Sequence, residues 1–344
     1  MSKYTKFIDQ NVAPIDARRI VVFDADGKRI GQIPLGDLTP PTYEKCLYTF
    51  GALSDVHIGQ DTKEFTTTES DFRTALTYLS ENADFICVCG DLVHGTYETL
   101  DTEISTYISC VNDCAKVPVY AIAGNHDGGR VPNSEMVIET YTGHPLYYSF
   151  TQGNDVFIMV GNRSSTAGSL FTTAELQWLY ETLEANRNKR CFLFQHVRPD
   201  DGCGNALGIY RVDDWGGTEQ TVFESLLRHY KNTVFFHGHS HLKFQMQEYE
   251  DDANLDRLFG CWSVHIPSIS VPRGPLSDVD TSLTTYYAES EGYVIDVYEN
   301  GIHLRGRNFV TEEYLPIASY WLDTTLQEVP ANSYTGPLPA SLTD

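Results

Sequence analysis

Basic residues are scarce in this chain: 24 Lys and Arg stand against 47 Asp and Glu, a formal net charge of −23 over 344 residues. A protein that holds nucleic acid regardless of sequence needs a basic footprint on the phosphate backbone, and no stretch here is rich in Lys or Arg. Extended polyanions are therefore disfavoured as partners, whereas a small anion held by local positive charge is not. The acidic run Glu248–Asp252 reads as a solvated loop. Long apolar runs are missing too. Nothing approaches the roughly 18 consecutive apolar residues of a membrane span, and Met1–Asn11 has no apolar signal core. We expect no membrane partner and a cytoplasmic protein. Cysteine is sparse: eight in 344 residues cannot make a disulfide framework. Cys87 and Cys89 alternate on one strand and share a face, and Cys110 and Cys114 are four apart on a helix, so we read the cysteines as reduced and structural.

The hydrophobic fraction of 41% is enough for a sizeable core, and the chain divides into three parts. Residues 1–45 hold two short strand candidates, Arg19–Phe23 and Lys28–Ile33, around Asp24-Ala25-Asp26-Gly27, a hairpin signal. Pro40-Pro41 separates this N-terminal arm, or small β-hairpin module for attachment, from the rest. Residues 46–310 alternate apolar strand-like runs with amphipathic stripes: Phe72, Ala75, Leu76 and Leu79 after Thr66-Thr67-Thr68-Glu69; Ile104, Tyr107, Ile108 and Val111; Leu176, Leu179, Tyr180 and Leu183; and Val222, Phe223, Leu226 and Leu227. These are core faces. After Gly238 the pattern turns to β, with Leu242–Tyr249, Arg257–Ile266, Thr284–Glu289, Gly292–Tyr298 and, across Asn300-Gly301, Ile302–Phe309. Residues 311–344, rich in Thr, Ser and Pro, read as a C-terminal extended tail. The fold class is α/β (α+β in strict terms), and strand–helix alternation followed by consecutive strands predicts two packed sheets with helices outside.

Chemistry-bearing residues recur at the same place. Tyr48–Leu53 ends at Asp55-Val56-His57, Phe85–Val88 at Gly90-Asp91, Val117–Ala123 at Gly124-Asn125-His126-Asp127, Arg190–Phe194 at His196, and Thr233–Phe236 at Gly238-His239-Ser240-His241. Each group lies just past the C-terminal end of a predicted strand, where open α/β sheets build their sites. Asp-x-His or Gly-Asp alone is weak evidence; five such pieces in order are strong. Hard oxygen donors mixed with imidazoles suit a pair of first-row divalent or trivalent metals, iron, manganese or zinc, rather than calcium or a thiolate zinc finger. One carboxylate between the two ligand sets can bridge them.

This order of motifs resembles that of the calcineurin-like metallophosphoesterases over roughly residues 46–310. The resemblance implies a four-layer α-β-β-α sandwich of two mixed sheets. It also implies a first metal on Asp55, His57, Asp91 and His241, and a second on Asp91, Asn125, His196 and His239, with Asp91 as the bridge. The family's catalytic histidine corresponds to His126, oriented by Asp127. Pro199, three residues beyond His196, and the helix around Glu175-Leu176-Gln177-Trp178-Leu179 fit as well. Asn162 departs from the pattern, because relatives often carry Asp there.

Ester hydrolysis fits these residues. Two metals roughly 3.5–4 Å apart bring a shared water toward ionisation for in-line attack on phosphorus, and His126, not needed as a ligand, suits the general acid that protonates the leaving oxygen. His94 and His237 read as loop or supporting residues, and His144, His229, His265 and His303 as structural. Arg163, Arg198 and Arg211 lie where one could reach a phosphate oxygen. The motif set resembles the bacterial phosphodiesterase branch, including class III cyclic-nucleotide and glycerophosphodiester enzymes, so the expected substrate is a small phosphodiester. The alternatives are a phosphomonoesterase of the same fold and a non-catalytic metal-binding scaffold tethered through residues 1–45. The sequence leaves the oligomeric state open.

Overall fold

The computed structural model describes residues 19–23, 29–34, 45–60, 68–95, 98–129, 138–140, 142–162, 171–199, 203–204, 217–248, 253–257, 259–275, 283–286 and 289–338. Two of the expected strands, β1 (Arg19–Phe23) and β2 (Arg29–Pro34), pair antiparallel. The turn proposed between them lies outside the described residues, as do Thr66 and Thr67 of the expected helix cap.

Two six-stranded sheets form the middle of the structure. In the first, β3 (Tyr48–Leu53), β4 (Phe85–Cys89) and β5 (Val119–Ile122) run parallel, and β14 (Glu291–Val297), β15 (Gly301–Asn308) and β16 (Glu313–Asp323) extend it antiparallel, in the order β16-β15-β14-β3-β4-β5. In the second, β7 (Asp155–Val160), β8 (Cys191–Gln195), β9 (Thr233–His237) and β11 (Trp262–His265) are parallel. They are flanked by antiparallel β6 (Tyr147–Gln152) and β10 (Leu255–Asp256). A small separate pair joins β12 (Arg273–Pro275) to β13 (Leu283–Tyr286).

Alternate strand residues divide between two apolar layers, as the period of two requires. Phe50, Phe85, Phe157, Phe192, Phe194 and Phe236 pack between the sheets, with Phe50 meeting Phe157 edge-on at 5.2 Å. Cys87 and Cys89 share this face, and all eight cysteines are free. On the outer face of the first sheet, Ile86, Val88 and Ala121 pack against α1 (Thr68–Asn82) and α2 (Leu100–Cys114). On the second, Ile158, Leu193 and Phe235 pack against α4 (Thr173–Ala185) and α5 (Gly217–His229). The helix faces are those expected: Phe72, Ala75, Leu76 and Leu79, for example, are all buried. A capping box fixes the start of α4, Thr172 Oγ1 accepting from Glu175 N while the Glu175 carboxylate accepts from Thr172 N. The four-layer α-β-β-α sandwich is therefore present. Among the described residues no helix is long and apolar enough to cross a membrane.

Two expectations change. The stretch 242–249, read as β, contains a 3-10 helix at Phe244–Glu248. Its start is fixed by the buried Glu291 carboxylate, which accepts from Phe244 N at 2.7 Å, a long-range contact that no local pattern announces. The sheet also continues past residue 310 into the supposed tail, since Glu313–Asp323 forms edge strand β16 against β15. Pro316 disguised it, but an edge strand tolerates a proline whose missing N–H faces outward. Ala318, Tyr320 and Leu322 alternate into the core.

One buried cluster ties both sheets together away from the strand ends that carry the motifs. Asp155 accepts from Arg190 Nη2 at 2.6 Å and Nε at 3.1 Å and from Tyr48 OH at 2.6 Å, while Arg190 Nη1 reaches Tyr298 O and Thr324 Oγ1, each at 2.8 Å. Asp155→Ala strands a buried guanidinium and should cost about 3–5 kcal/mol. The check is a lowered urea midpoint at unchanged m-value, and a change under about 1 kcal/mol would mean that the pair does not hold the sheets together.

Candidate metal centre

The five motif blocks converge where the C-terminal ends of both sheets meet. Asp55, His57, Asp91, Asn125, His126 and Asp127 follow β3, β4 and β5; the last three begin a short helix, α3 (Asn125–Gly129). His196, His239 and His241 follow β8 and β9. Crowding forces the backbone into the left-handed region at Asp55 (φ 54°), His57 (51°), Asp91 (49°), His239 (72°) and His241 (61°), conformations that L-residues adopt only when their surroundings impose them. Those surroundings are hydrogen bonds between neighbouring strand ends: Asp55 N to Gly90 O at 3.1 Å, His57 N to Asp91 O at 2.9 Å and Ser54 Oγ to Cys89 O at 2.9 Å. Glycine is required at two contacts. A Cβ on Gly238 would stand 1.9 Å from Ser54 Oγ and 2.6 Å from Asp55 Oδ2, and one on Gly124 would stand 2.2 Å from Asp91 Oδ1.

Each aspartate divides its oxygens between backbone and cluster. Asp55 Oδ2 accepts from His239 N at 3.0 Å, while Oδ1 faces His241 Nε2 at 3.1 Å and His196 Nε2 at 3.7 Å. Asp91 Oδ1 accepts from His126 N at 2.8 Å, while Oδ2 stands between His57 Nε2 at 3.4 Å and His196 Nε2 at 3.2 Å. The rings are aimed from behind: His196 Nδ1 donates to Cys89 O at 2.6 Å and His241 Nδ1 to Val271 O at 3.2 Å, leaving Nε2 of each toward the cluster. His239 Nδ1 lies 2.8 Å from Asn125 Oδ1.

Two overlapping groups, Asp55, His57, Asp91 and His241 and then Asp91, His196 and His239, have their ligand atoms within 4.8 Å of one another. Asp55 Oδ1 and His196 Nε2 are buried with no hydrogen-bond partner, as expected of atoms whose partner is a metal ion. Burial opposes ionisation of Asp55 and Asp91, yet neighbouring imidazoles hold both carboxyls well below their ordinary value. Burial keeps His57 and His239 neutral, the latter down to about 3. It also opposes a charge on His196, but the carboxylates of Asp91 and Asp55 outweigh it and lift the ring to about 10. Against burial, nearby carboxylates likewise raise His241; ionised carboxylates beside two neutral imidazoles and two that would release a proton to a bound metal form a donor set that fits divalent metals.

His126 sits at the rim, its ring 4.6 Å from that of His57. Its Nδ1 donates to the backbone carbonyl of His94 at 2.7 Å. That carbonyl, which no sequence pattern could mark, is the group that aims the ring. Asp127 plays a different part from the one expected. Its carboxylate accepts from Leu92 N at 3.0 Å, Val93 N at 3.1 Å and Gly124 N at 2.7 Å, binding the loops after β4 and β5 together. Burial and the Asp91 carboxylate push Asp127 up to about 7, against those N–H groups. The ring of His94 stands 5.2 Å from that of His126.

Arg198 is wholly buried, with Nη1 donating to Pro199 O at 3.0 Å, which takes it from the phosphate-contact candidates; Arg163 and Arg211 lie outside the described residues, as does the side chain of the acidic run's Glu248. Asn162 Oδ1 accepts from Gln195 Nε2 at 3.0 Å, a packing role. His265 is more than a bystander, because its Nε2 lies 2.8 Å from Ser240 Oγ and supports the His239–His241 turn. His237 Nε2 lies 3.2 Å from Cys203 Sγ behind the same turn, His144 stacks on Tyr148, and His229 and His303 meet Ser333 and Ser319.

Residues 48–243 match the family described as "Calcineurin-like phosphoesterase". The human protein called Serine/threonine-protein phosphatase CPPED1 is 32% identical over 135 residues, 36% of this chain and 42% of that protein, so the chain spans less than half of that relative. A Fibrobacter succinogenes protein called a probable cyclic nucleotide phosphodiesterase is 26% identical over 210 residues, 60% of this chain and 78% of that one. Among solved structures, purple acid phosphatase PPD1 from yellow lupin superposes with a TM-score of 0.55 at 11% identity, covering 92% of this chain and 62% of that one. GAP50, described as the anchor in the inner membrane complex of Plasmodium, reaches 0.52 at 13% identity, covering 83% and 91%. At these identities the superpositions show a shared fold.

The contact at Gly238 is the most direct test of how the cluster is assembled. Gly238→Ala should drive Ser54 and Asp55 away from the turn. The expected outcome is a chain that keeps its far-UV circular dichroism but takes up markedly less manganese or zinc in equilibrium dialysis, and wild-type uptake would show that this approach is not what gathers the donors.

Proposed function

This chain belongs to the calcineurin-like phosphoesterase family, and we propose that it is a two-metal hydrolase of small phosphodiesters. Asp55, His57, Asp91 and His241 would hold one metal, and Asp91, Asn125, His196 and His239 the other. The observation that carries this reading is the position of Asp91 Oδ2, within 3.4 Å of a ring nitrogen from each ligand set. Iron, manganese or zinc bound there would bring water toward ionisation and neutralise phosphoryl oxygens as charge builds.

The remaining chemistry belongs to the chain. With Nδ1 committed to the His94 carbonyl, Nε2 of His126 is the ring nitrogen left to hand a proton to the leaving oxygen. Asp127 acts through the backbone, keeping the His126 loop in register with the Asp91 loop. Diester preference rests on the net charge of −23, which repels extended polyanions, and on the relative named as a cyclic nucleotide phosphodiesterase, which is matched over most of its length. A phosphomonoester substrate is the second reading, favoured by the higher but shorter identity to the protein named CPPED1 phosphatase. A non-catalytic metal-binding scaffold tethered through residues 1–45 fits less well with the gathered donors and a rim histidine.

Asp91→Asn should lower both metal content and turnover, and full metal content with near-native turnover would remove the bridge. His126→Ala should keep both metals and lose about 10²–10⁴-fold in turnover on alkyl esters, with a smaller loss on p-nitrophenyl esters, whose leaving group needs little protonation. Equal losses on the two would assign His126 to positioning. Across bis-p-nitrophenyl phosphate, cyclic nucleotides, p-nitrophenyl phosphate, a phosphopeptide and single-stranded DNA, the small diesters should react fastest, and only DNA should gain from added salt. A phosphopeptide rate above every diester would move the assignment to the monoester reading.

A further inference from the structure

In a chain with 47 carboxylates against 24 Lys and Arg, Arg307 is buried with no counter-ion among the described residues. Arg307, on β15, is 7% exposed, its Nε is buried without a partner, and among the described residues neither a hydrogen bond nor an ion pair reaches its guanidinium. Its neighbour on the same strand face has a counter-ion: Arg305 donates to Asp296 Oδ1 and Tyr314 OH, each at 2.8 Å, although its Nε is also buried without a partner. Arg307 instead lies with Cζ 3.7 Å from the ring centroid of Tyr78 and 5.1 Å from that of Tyr314. The two hydroxyls meet at 2.8 Å, which fixes the rings. Aromatic faces stabilise a guanidinium from above and below, but its N–H donors lie in the plane, and no ring satisfies those. A sheltered cation whose Nε is buried and whose other in-plane donors lack protein partners among the described residues is matched by a planar, two-oxygen acceptor.

The topology explains why space remains there. Tyr78 belongs to α1 and Tyr314 to β16, so Arg307 lies at the step where helix α1 gives way to the outermost strands of the first sheet. A groove of about 700 Å³ runs along that step, with Ser70, Thr74, Thr77 and Tyr78 on one side and Arg307 and Phe309 on the other. It shares no residue with the metal centre. Three glutamates also line it. Glu69 pairs with Arg73 at 2.8 Å and Glu81 with Lys116 at 3.3 Å, whereas Glu312 forms no ion pair among the described residues. This acidic rim opposes multiply charged ligands, and Tyr78 and Phe309 offer apolar surface beside the cation.

We propose that this groove is a second, non-catalytic binding site for a small, singly charged oxyanion with an apolar body, held by the guanidinium edge of Arg307. A carboxylate and a phosphodiester share that chemistry. The site stands on its own, apart from the proposed reaction.

Isothermal titration of the metal-loaded full chain with benzoate and, separately, with diphenyl phosphate tests the proposal. Benzoate should bind the wild type and Asp91→Asn alike, and about tenfold or more weakly to Arg307→Gln, the loss of a charge-assisted hydrogen-bonded pair. Arg307→Lys, which keeps the charge without the fork, should fall between them. Diphenyl phosphate should show an Arg307-dependent site and a second one lost in Asp91→Asn, and the anion held more tightly at the Arg307-dependent site identifies the ligand class. Should Arg307→Gln lower the melting temperature so far that it cannot be titrated, Thr77→Trp, on the exposed face of α1, leaves Arg307 in place and should block the groove. The proposal is overturned if neither anion binds the wild type, if both bind Arg307→Gln and Thr77→Trp unchanged, or if all binding disappears in Asp91→Asn.

Discussion

The site depends on a backbone held where side chains resist going. Five of its residues, Asp55, His57, Asp91, His239 and His241, carry left-handed dihedrals, each at a cost of about 1–3 kcal/mol unless something else fixes it. What fixes them is the lateral hydrogen bonding of neighbouring strand ends, from Asp55 N to Gly90 O and from His57 N to Asp91 O, together with the carboxylate oxygens that capture His126 N and His239 N. The turn at each strand end aims the next side chain inward, and the side chain's second oxygen then locks the turn opposite. Side-chain geometry and backbone strain are thus one arrangement, and neither half would persist without the other.

That arrangement needs two sheets at a fixed separation, because the carboxylates come from one and three of the imidazoles from the other. The aromatic layer between them supplies it. Phe50 touches Phe85, Phe157 and Phe192 with centroids at 5.5, 5.2 and 5.5 Å, so one ring of the first sheet is wedged against rings of the second. Such interiors are close-packed and transmit displacement rather than absorbing it. Packing far from the chemistry therefore sets the distance across which Asp91 reaches both histidine sets.

Much of this was legible in the sequence because the relevant signals are local. Apolar runs mark strands, glycines mark close approach, and carboxylates and imidazoles placed just past those runs can only meet at one edge. Where the reading failed, the cause was non-local. Leu242–Tyr249 looks like a strand until Glu291 reaches across to Phe244 N and starts a 3-10 helix. Glu313–Asp323 looks like a tail because Pro316 and the flanking polar residues hide an alternation that only pairing with β15 reveals. Asp127 looks like the partner of the histidine beside it, yet its oxygens are taken by backbone N–H groups of the loop after β4 and of its own loop. The carbonyl of His94 carries no residue-type signal at all.

The place of β3 in its sheet has a consequence for how the chain acquires its shape during synthesis. This strand, the first of the main fold, lies between β4, which follows soon after it, and β14, which begins at Glu291. A chain emerging from the ribosome exposes one side of β3 as an open edge until some 240 further residues have appeared. The donor atoms of Asp55 and Asp91 likewise wait for His196, His239 and His241. Unpaired edges of this kind invite intermolecular pairing, and long-range closure is slow. The strand whose Phe50 later anchors the centre is thus the segment for which a nascent chain most needs protection from its neighbours.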